Sequence, residues 1–209
     1  MSAKTIDYGW DDATPCSDSY IAPAVARILT ELGAKTVLDA GCGNGALAIA
    51  LDRQGFAVTG VDGDDGGVAI AKAARPDMDF RQMTFDQDPG RFPAVMDGGF
   101  DAVVSTEVVE HLYAPHELVA FARRALRPGG HVILSTPYHG FLKNLALSLF
   151  NKWDRHLTPL WHGGHIKFWS RETLGQLLRQ EGFEVVGFDG VGRYPYLWKS
   201  MVITARKPA

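Results

Sequence analysis

Five residues, Asp39, Gly41, Gly43, Gly45 and Asp62, have the types and spacing to do chemistry together. The first four lie in Val37-Leu38-Asp39-Ala40-Gly41-Cys42-Gly43-Asn44-Gly45-Ala46. Thr36 to Asp39 reads as a short buried strand, and Leu47 to Leu51 has helical apolar spacing. Strand, glycine turn and helix form the arrangement that lets backbone N–H groups approach a ligand closely. Asp62 follows at the end of a second strand-like run, Ala57-Val58-Thr59-Gly60-Val61, with Gly63 beside it. An acid in that place can take the hydroxyls of a ribose. The constellation therefore points to a cofactor that contains a nucleoside.

Glu107, Glu110 and His111 form a second constellation, spaced i, i+3, i+4, so on a helix they share one face. His139, His162 and His165 are further candidate bases, since each imidazole titrates near neutrality. The pair Gly163-Gly164 argues that His162 and His165 sit on a loop. The absence of a nearby cysteine and of an H-E-x-x-H pattern argues against zinc.

These residues need a scaffold, and the chain can supply one. At 209 residues it fits a single domain, 1–209, with a proper core. Hydrophobic content of 46% and charged content of 22% are ordinary for a globular protein. A net charge of −3 gives no global field that favours nucleic acid. The first residues lack an apolar signal core, and no apolar run approaches membrane-spanning length, so a cytoplasmic protein is expected. Cys16 and Cys42 read as two reduced thiols, because a disulfide at Cys42 would obstruct the glycine turn.

The spacing predicts an opening helix over Tyr20 to Leu32 stopped by Gly33, and a helix capped by Asp64 that ends at Arg75-Pro76. It predicts a third strand over Asp79 to Phe85, ending at Asp86, and a fourth over Phe100 to Ser105. A helix over Pro115 to Leu126, a turn at Arg127-Pro128-Gly129-Gly130 and a fifth strand over His131 to Ser135 follow. Ser170 caps the last helix, with Thr173 in place of the preferred Glu, and Gly182 ends it. Phe183 to Phe188 and Leu197 to Ala205 are the last strands; about eight residues join them, too few for a helical crossover, so they pair antiparallel.

Residues 137–169 break the strand–helix rhythm. Five of the seven histidines fall between His131 and His165, among Tyr138, Trp153, Trp161 and Trp169. Within Phe141 to Asn151, Leu142, Leu145, Ala146, Leu149 and Phe150 share one side of a helical wheel, and Lys143, Asn144, Ser148 and Asn151 the other, with Phe141 and Leu147 outside that division. So long a connection after a sheet strand is expected to be an acceptor-binding insertion or lid at the carboxyl ends of the strands. The mixture of lysines and apolar residues from Phe141 to Trp153 also fits a peripheral membrane contact.

Asp39 discriminates between cofactor classes. Gly41, Gly43 and Ala46 satisfy a dinucleotide fingerprint, but an acid two residues before the first glycine would repel a pyrophosphate. Asp39-Ala40-Gly41-Cys42-Gly43-Asn44-Gly45 instead resembles motif I of the class I S-adenosylmethionine methyltransferases. The fourth strand, the Glu-His segment, Leu126-Arg127-Pro128-Gly129-Gly130 and the fifth strand resemble the same family in order and spacing. The resemblance covers roughly residues 20–136. It implies an α/β fold with a Rossmann-like seven-stranded sheet of order 3-2-1-4-5-7-6, last strand antiparallel, helices on both faces. The implied activity is transfer of the methyl group of S-adenosyl-L-methionine to a small, aromatic or lipophilic acceptor, most simply at oxygen. Cofactor contacts are then expected at Asp39, Gly41, Cys42, Gly43, Asp62, Gly63, Asp86 (at the adenine amino group) and Thr106. The aromatics of the N-terminal arm, Tyr8 and Trp10, either fold over the sulfonium or belong to a frayed terminus.

The stretch Glu107-Val108-Val109-Glu110-His111 looks like that of the ubiquinone-biosynthesis O-methyltransferases, where it is linked to a divalent metal, usually magnesium. Histidine is a poor magnesium ligand, so metal is not the favoured reading. A helix-dipole role for the glutamates and a base role for His111 stand beside it. Catalytic candidates are His111, Glu110, His139 and His165. Two rival functions remain: a non-catalytic S-adenosylmethionine-binding protein, which would bind cofactor without turnover, and a nicotinamide-dependent oxidoreductase, which would need a second βαβαβ half.

Overall fold

The computed structural model describes residues 11, 15, 17–157, 159–161 and 163–209. Tyr8, Trp10, Cys16 and His162 lie outside them. In chain order the elements are α1 (Asp18–Glu31), β1 (Thr36–Ala40), α2 (Ala46–Asp52), β2 (Ala57–Asp62), α3 (Asp65–Ala74), β3 (Asp79–Gln82) and α4 (Pro93–Met96). They continue with β4 (Phe100–Thr106), α5 (Pro115–Ala125), β5 (Leu126–Pro137), α6 (Phe141–Leu149), α7 (Trp153–Leu157), α8 (Arg171–Gln180), β6 (Glu184–Val191) and β7 (Ser200–Arg206).

The strands form one sheet in the order β3-β2-β1-β4-β5-β7-β6, as the resemblance implies. β1 to β5 are mutually parallel where they pair, and β7 runs antiparallel to both β5 and β6. Strand residues alternate between two apolar layers. Leu38, Val103, Val132 and Leu134 pack with Leu118 and Phe121 of α5 and Leu174 and Leu178 of α8. Val37, Val104 and Ile133 pack on the other face with Ile21, Val25 and Leu29 of α1, Leu47 and Leu51 of α2 and Val68 of α3. Burial on both faces explains the near-continuous apolar runs of β1, β4 and β5.

Three boundaries differ from the sequence expectation. β3 stops at Gln82 and leaves Asp86 in a following turn, where the Asp86 carboxylate accepts from the Thr84 hydroxyl at 2.5 Å. The expected turn at Arg127–Gly130 lies within β5, where the β4 pairing slips between Phe100 and Ala102 to absorb it. Glu107, Glu110 and His111 do not share a helix: Val109–His111 is a single 3₁₀ turn, and Glu107 precedes it at φ +55°. The Ser170 cap is more complete than expected. Its hydroxyl accepts from the Thr173 N–H at 3.1 Å, and the Thr173 hydroxyl accepts from the Ser170 N–H at 3.0 Å.

Ser170→Ala removes one arm of this reciprocal cap while leaving the sheet intact. It is expected to cost about 1 kcal/mol of stability in urea unfolding; an unchanged midpoint and slope would show that the cap does not hold α8.

Candidate active site

The glycine turn is built by cross-strand hydrogen bonds. Gly41 N–H and Cys42 N–H both donate to the Val61 carbonyl, at 2.7 and 3.0 Å, fastening the end of β1 to the end of β2. Gly41 holds φ +88°, and a Cβ there would stand 2.5 Å from the Val108 side chain, so the position needs glycine twice over. Gly43 N–H donates to one oxygen of Asp62 at 2.8 Å, and Asp64 N–H donates to the other at 2.8 Å. Asp62 is thus aimed at the turn, with Gly63 between its two anchors. The Cys42 thiol points into the core beside Gly60 and Phe80, and burial pushes it well up. The Cys42 N–H donates to the Val61 carbonyl, and its thiol donates to the Gly43 carbonyl at 3.9 Å.

Asp39 lies beneath this turn, 1% exposed. Neither carboxylate oxygen makes a close hydrogen bond among the described residues. Burial first, then the nearby Asp18 and Asp62, push its carboxyl up to about 8; the Ala48 N–H offsets little of this. Asp18, the first residue of α1, is itself pushed up to about 6 by burial. An orphaned acid with two acids around it is a costly arrangement in the free protein. It suits a ligand that brings positive charge, and it is hostile to a pyrophosphate.

At the end of β4, Thr106 pairs with Ser135 of β5. The chain then turns through the left-handed Glu107. Glu107 N–H donates to both the carbonyl and the hydroxyl oxygen of Ser135, at 3.2 and 3.1 Å. Its carboxylate accepts from the Ser135 hydroxyl at 2.8 Å and from the Ser200 hydroxyl of β7 at 3.2 Å. These bonds hold a conformation that non-glycine residues rarely adopt. They also turn Glu107 toward the sheet, so it does not join Glu110 and His111 as the spacing suggested. Burial raises Glu107, partly offset by the two serines and by Lys143 of α6. Burial and then Glu107 raise Glu110 well above the ordinary carboxyl range; the Thr136 hydroxyl lies beside it without closing a good hydrogen bond.

The insertion folds back onto this turn. The Glu110 carbonyl accepts from the N–H groups of Ile166 and Lys167 at 3.0 and 3.1 Å, and the Val109 carbonyl accepts from Trp169 Nε1 at 3.3 Å. His111 Nδ1–H donates to the Gly163 carbonyl at 2.6 Å, which makes Nε2 the basic nitrogen of the neutral ring. Four imidazoles then follow one another: His111 to His165 at 5.0 Å between ring centroids, His165 to His156 at 6.4 Å, and His156 to His139 at 5.1 Å. Trp161 packs edge-on to His111, Trp153 stacks on His139, and Phe168 meets His139 edge-on. His139 also faces the Asn144 side-chain oxygen at 3.3 Å. Burial lowers all four rings; His156 and His165 fall to about 4, helped by the other imidazoles and by Lys143. Burial thus favours the neutral form of all four rings, most strongly at His156 and His165.

One oxygen of Glu110 and one nitrogen each of His111 and His165 lie within 4.8 Å of one another. Two nitrogens and one oxygen do not supply the oxygen shell that magnesium takes. Of the sequence candidates, Glu110, His111, His139 and His165 come together around the insertion. Asp39, Gly41, Gly43, Asp62 and Gly63 come together at the turn, and exposed Asp86 lies past β3, bonded to Thr84, whose methyl borders Gly63. The sequence reading passed over three residues that face these groups: Asp18, Lys143 and His156. The i, i+3 spacing of Trp153 and His156 within the aromatic run was the available signal for the last.

A glycine turn after β1, an acid closing β2 and an antiparallel β7 inserted between β5 and β6 define a class I, Rossmann-like methyltransferase architecture. β4, α5, β5, α8 and β6 form a second βαβαβ half, as the dinucleotide fold also has, so it is β7 inserted between β5 and β6 that sets this sheet apart. Residues 17–187 match the family described as a methyltransferase domain, and the chain belongs to that family of S-adenosylmethionine-dependent methyltransferases. It is 32% identical over 168 residues to the ubiquinone biosynthesis O-methyltransferase of Pseudomonas paraeruginosa, covering 78% of this chain and 71% of the relative. It is 30% identical over 168 residues to the enzyme of that name from Aromatoleum aromaticum, covering 78% and 70%. Among solved structures, it resembles the magnesium protoporphyrin IX methyltransferase of Synechocystis PCC 6803 with bound S-adenosylhomocysteine. That likeness has a TM-score of 0.67 at 19% identity and covers 90% of this chain and 82% of the other, which is a likeness of fold.

The buried acids set a pH dependence. A carboxyl raised in the folded state stabilises the fold below its unfolded value, and that stabilisation is lost as pH rises through the folded value. For Asp39 the loss runs from about 4 to about 8; Glu107 and Glu110 act in the same direction. The lowered histidines act below their ordinary 6.5, and Lys143, lowered to about 8, acts oppositely above pH 8. The ligand-free protein is therefore expected to melt at a higher temperature at pH 6.5 than at pH 8, by on the order of 1 kcal/mol at Asp39. Asp39→Asn should flatten that slope; a melting temperature that rises from pH 6.5 to 8 in the native protein would contradict the assignment.

Proposed function

We propose that this protein methylates a hydroxyl oxygen of a small aromatic or lipophilic acceptor, bound beneath the insertion 137–169. The observation that carries the reading is the file of four imidazoles beside buried Glu110, packed with tryptophans and Phe168, past the ends of β4 and β5. The oxygen reading draws further support from the two O-methyltransferase relatives.

The residues at the glycine turn fit the family's cofactor. Orphaned Asp39 suits the cationic methionyl end, the turn between Gly41 and Gly43 admits close backbone approach, and Asp62 has lone pairs left for ribose hydroxyls. Gly63 and Thr106 are further candidates for contact with the cofactor, and Asp86 is the candidate for the adenine amino group. S-adenosylmethionine supplies a methyl group on a positively charged sulfur, so the protein's task is to orient an oxygen in line with it and to take the proton from that oxygen. His111 Nε2 takes the proton, since the Gly163 carbonyl fixes the tautomer. The resulting imidazolium gives Glu110 the cationic partner that its buried carboxyl lacks in the free protein. His165 and His139 flank the acceptor, and their neutrality keeps the pocket attractive to an aromatic ring.

Two substitutions separate the halves of the site. Asp62→Ala is expected to weaken S-adenosylhomocysteine binding by about 1.5–3 kcal/mol, the worth of hydrogen bonds to a charged group; an unaltered affinity would remove Asp62 from the cofactor site. With labelled S-adenosylmethionine and a panel of phenols and quinols, the native protein should release a methyl ether. His111→Ala should keep cofactor affinity while kcat falls by about 10²–10⁴-fold. Methylation at nitrogen or carbon, or an unchanged kcat, would overturn the reading.

A further inference from the structure

Helix α6 sits with its apolar side outward. Lys143 and Asn144 are half-buried and face the protein: Lys143 Nζ donates to the Lys199 carbonyl at 2.9 Å, and Asn144 meets His139. The opposite side presents Phe141 at 78% exposure, Leu149 at 71% and Phe150 at 70%, with Leu142 and Leu145 between them. A water-facing helix has the reverse polarity. The connection between β6 and β7 continues the same surface. The Lys143 bond to Lys199 and the Tyr138–Trp198 ring contact at 5.1 Å join the two segments, and Tyr194, Tyr196 and Leu197 are exposed on the connection.

Charge follows the same division. Residues 141–169 and 192–199 carry six lysines and arginines and one acid, Asp154. The rest of the chain carries fifteen lysines and arginines against 23 acids. An acidic protein thus has one basic, apolar lip, formed by two segments distant in sequence.

We propose that this lip docks on an anionic phospholipid bilayer, with the leucines and phenylalanines of α6 in the acyl boundary and the Tyr194–Leu197 tip at headgroup level. Aliphatic and aromatic groups rimmed by cations are the chemistry of an interfacial helix. Tyrosines at the rim match the preference of that side chain for the interface. The basic rim requires an anionic partner. A second copy paired face to face would oppose two basic lips, which repel. A nucleic acid would find phosphate contacts there but nothing to cover five outward aliphatic and aromatic side chains of α6 and its end. Docking in this pose would bring the insertion that holds the imidazole file down to the lipid, so a lipophilic molecule could reach it without crossing water.

The test uses the full chain and sedimentation with vesicles of phosphatidylcholine alone or with one-third phosphatidylglycerol. The native protein should partition onto the anionic vesicles at low salt and be released by about tenfold or more at high salt, as roughly two or more cations at the surface require. Leu145→Glu/Leu149→Glu and, separately, Lys152→Glu/Arg155→Glu should each lower partitioning by about tenfold or more. Both variants should keep the native melting temperature and S-adenosylhomocysteine affinity, which separates a failure of this surface from a failure of the cofactor site. Native protein that binds neither vesicle, variants that bind as well as native, or concentration-dependent dimerisation abolished by the Leu145/Leu149 change in place of vesicle binding would each overturn the proposal.

Discussion

The Val61 carbonyl accepts two N–H groups, from Gly41 and Cys42, and the glycine turn with the acids around it depends on that junction. It ties the end of β1 to the end of β2, holds the glycine turn in a shape only glycine allows at Gly41, and sets Asp62 under the Gly43 amide. Once the turn is fixed in this way, Asp39 is trapped beneath it with no close donor among the described residues beyond the weakly placed Ala48 N–H. The cost of that buried acid is carried by two apolar layers packed on either face of a seven-stranded sheet. Stability and binding are thereby opposed at one residue: a buried acid that is costly in the free protein is one that favours a cation.

The turn after β4 follows a different logic. It is strained at Glu107 and is held by serines from β5 and β7, so the antiparallel end of the sheet fixes the segment that carries Glu110 and His111. The insertion is not a loose flap. Its return segment forms backbone hydrogen bonds on the Glu110 carbonyl and a short bond from His111 to Gly163. Its outward helix α6 is anchored by its polar side, which leaves its apolar side to the surroundings.

Elements whose local pattern and global packing agree were legible in the sequence. The strand–glycine turn–helix at Thr36–Asp52, the cap at Asp64 and the antiparallel close of β6 and β7 follow from periodicity, turn residues and connection length. The order of the strands came from resemblance alone, since spacing does not say which parallel strands are neighbours. What was not legible depends on partners far away in the chain. Glu107, Glu110 and His111 have helical spacing, but Ser135 and Ser200 stabilise a left-handed Glu107 and break the helix before it starts. Apolar periodicity identified α6 without indicating which side faces out, because that is decided by Lys199 and His139. The turn signal in Arg127–Gly130 was overridden by pairing of β5 with β4 and β7.

The glycine turn over Asp39 is tested most directly by calorimetric titration of the full chain with S-adenosylhomocysteine and, separately, with NAD. Micromolar binding of S-adenosylhomocysteine with no heat from NAD is the predicted result. Binding of NAD, or the absence of S-adenosylhomocysteine binding by a protein that melts cooperatively, would contradict it.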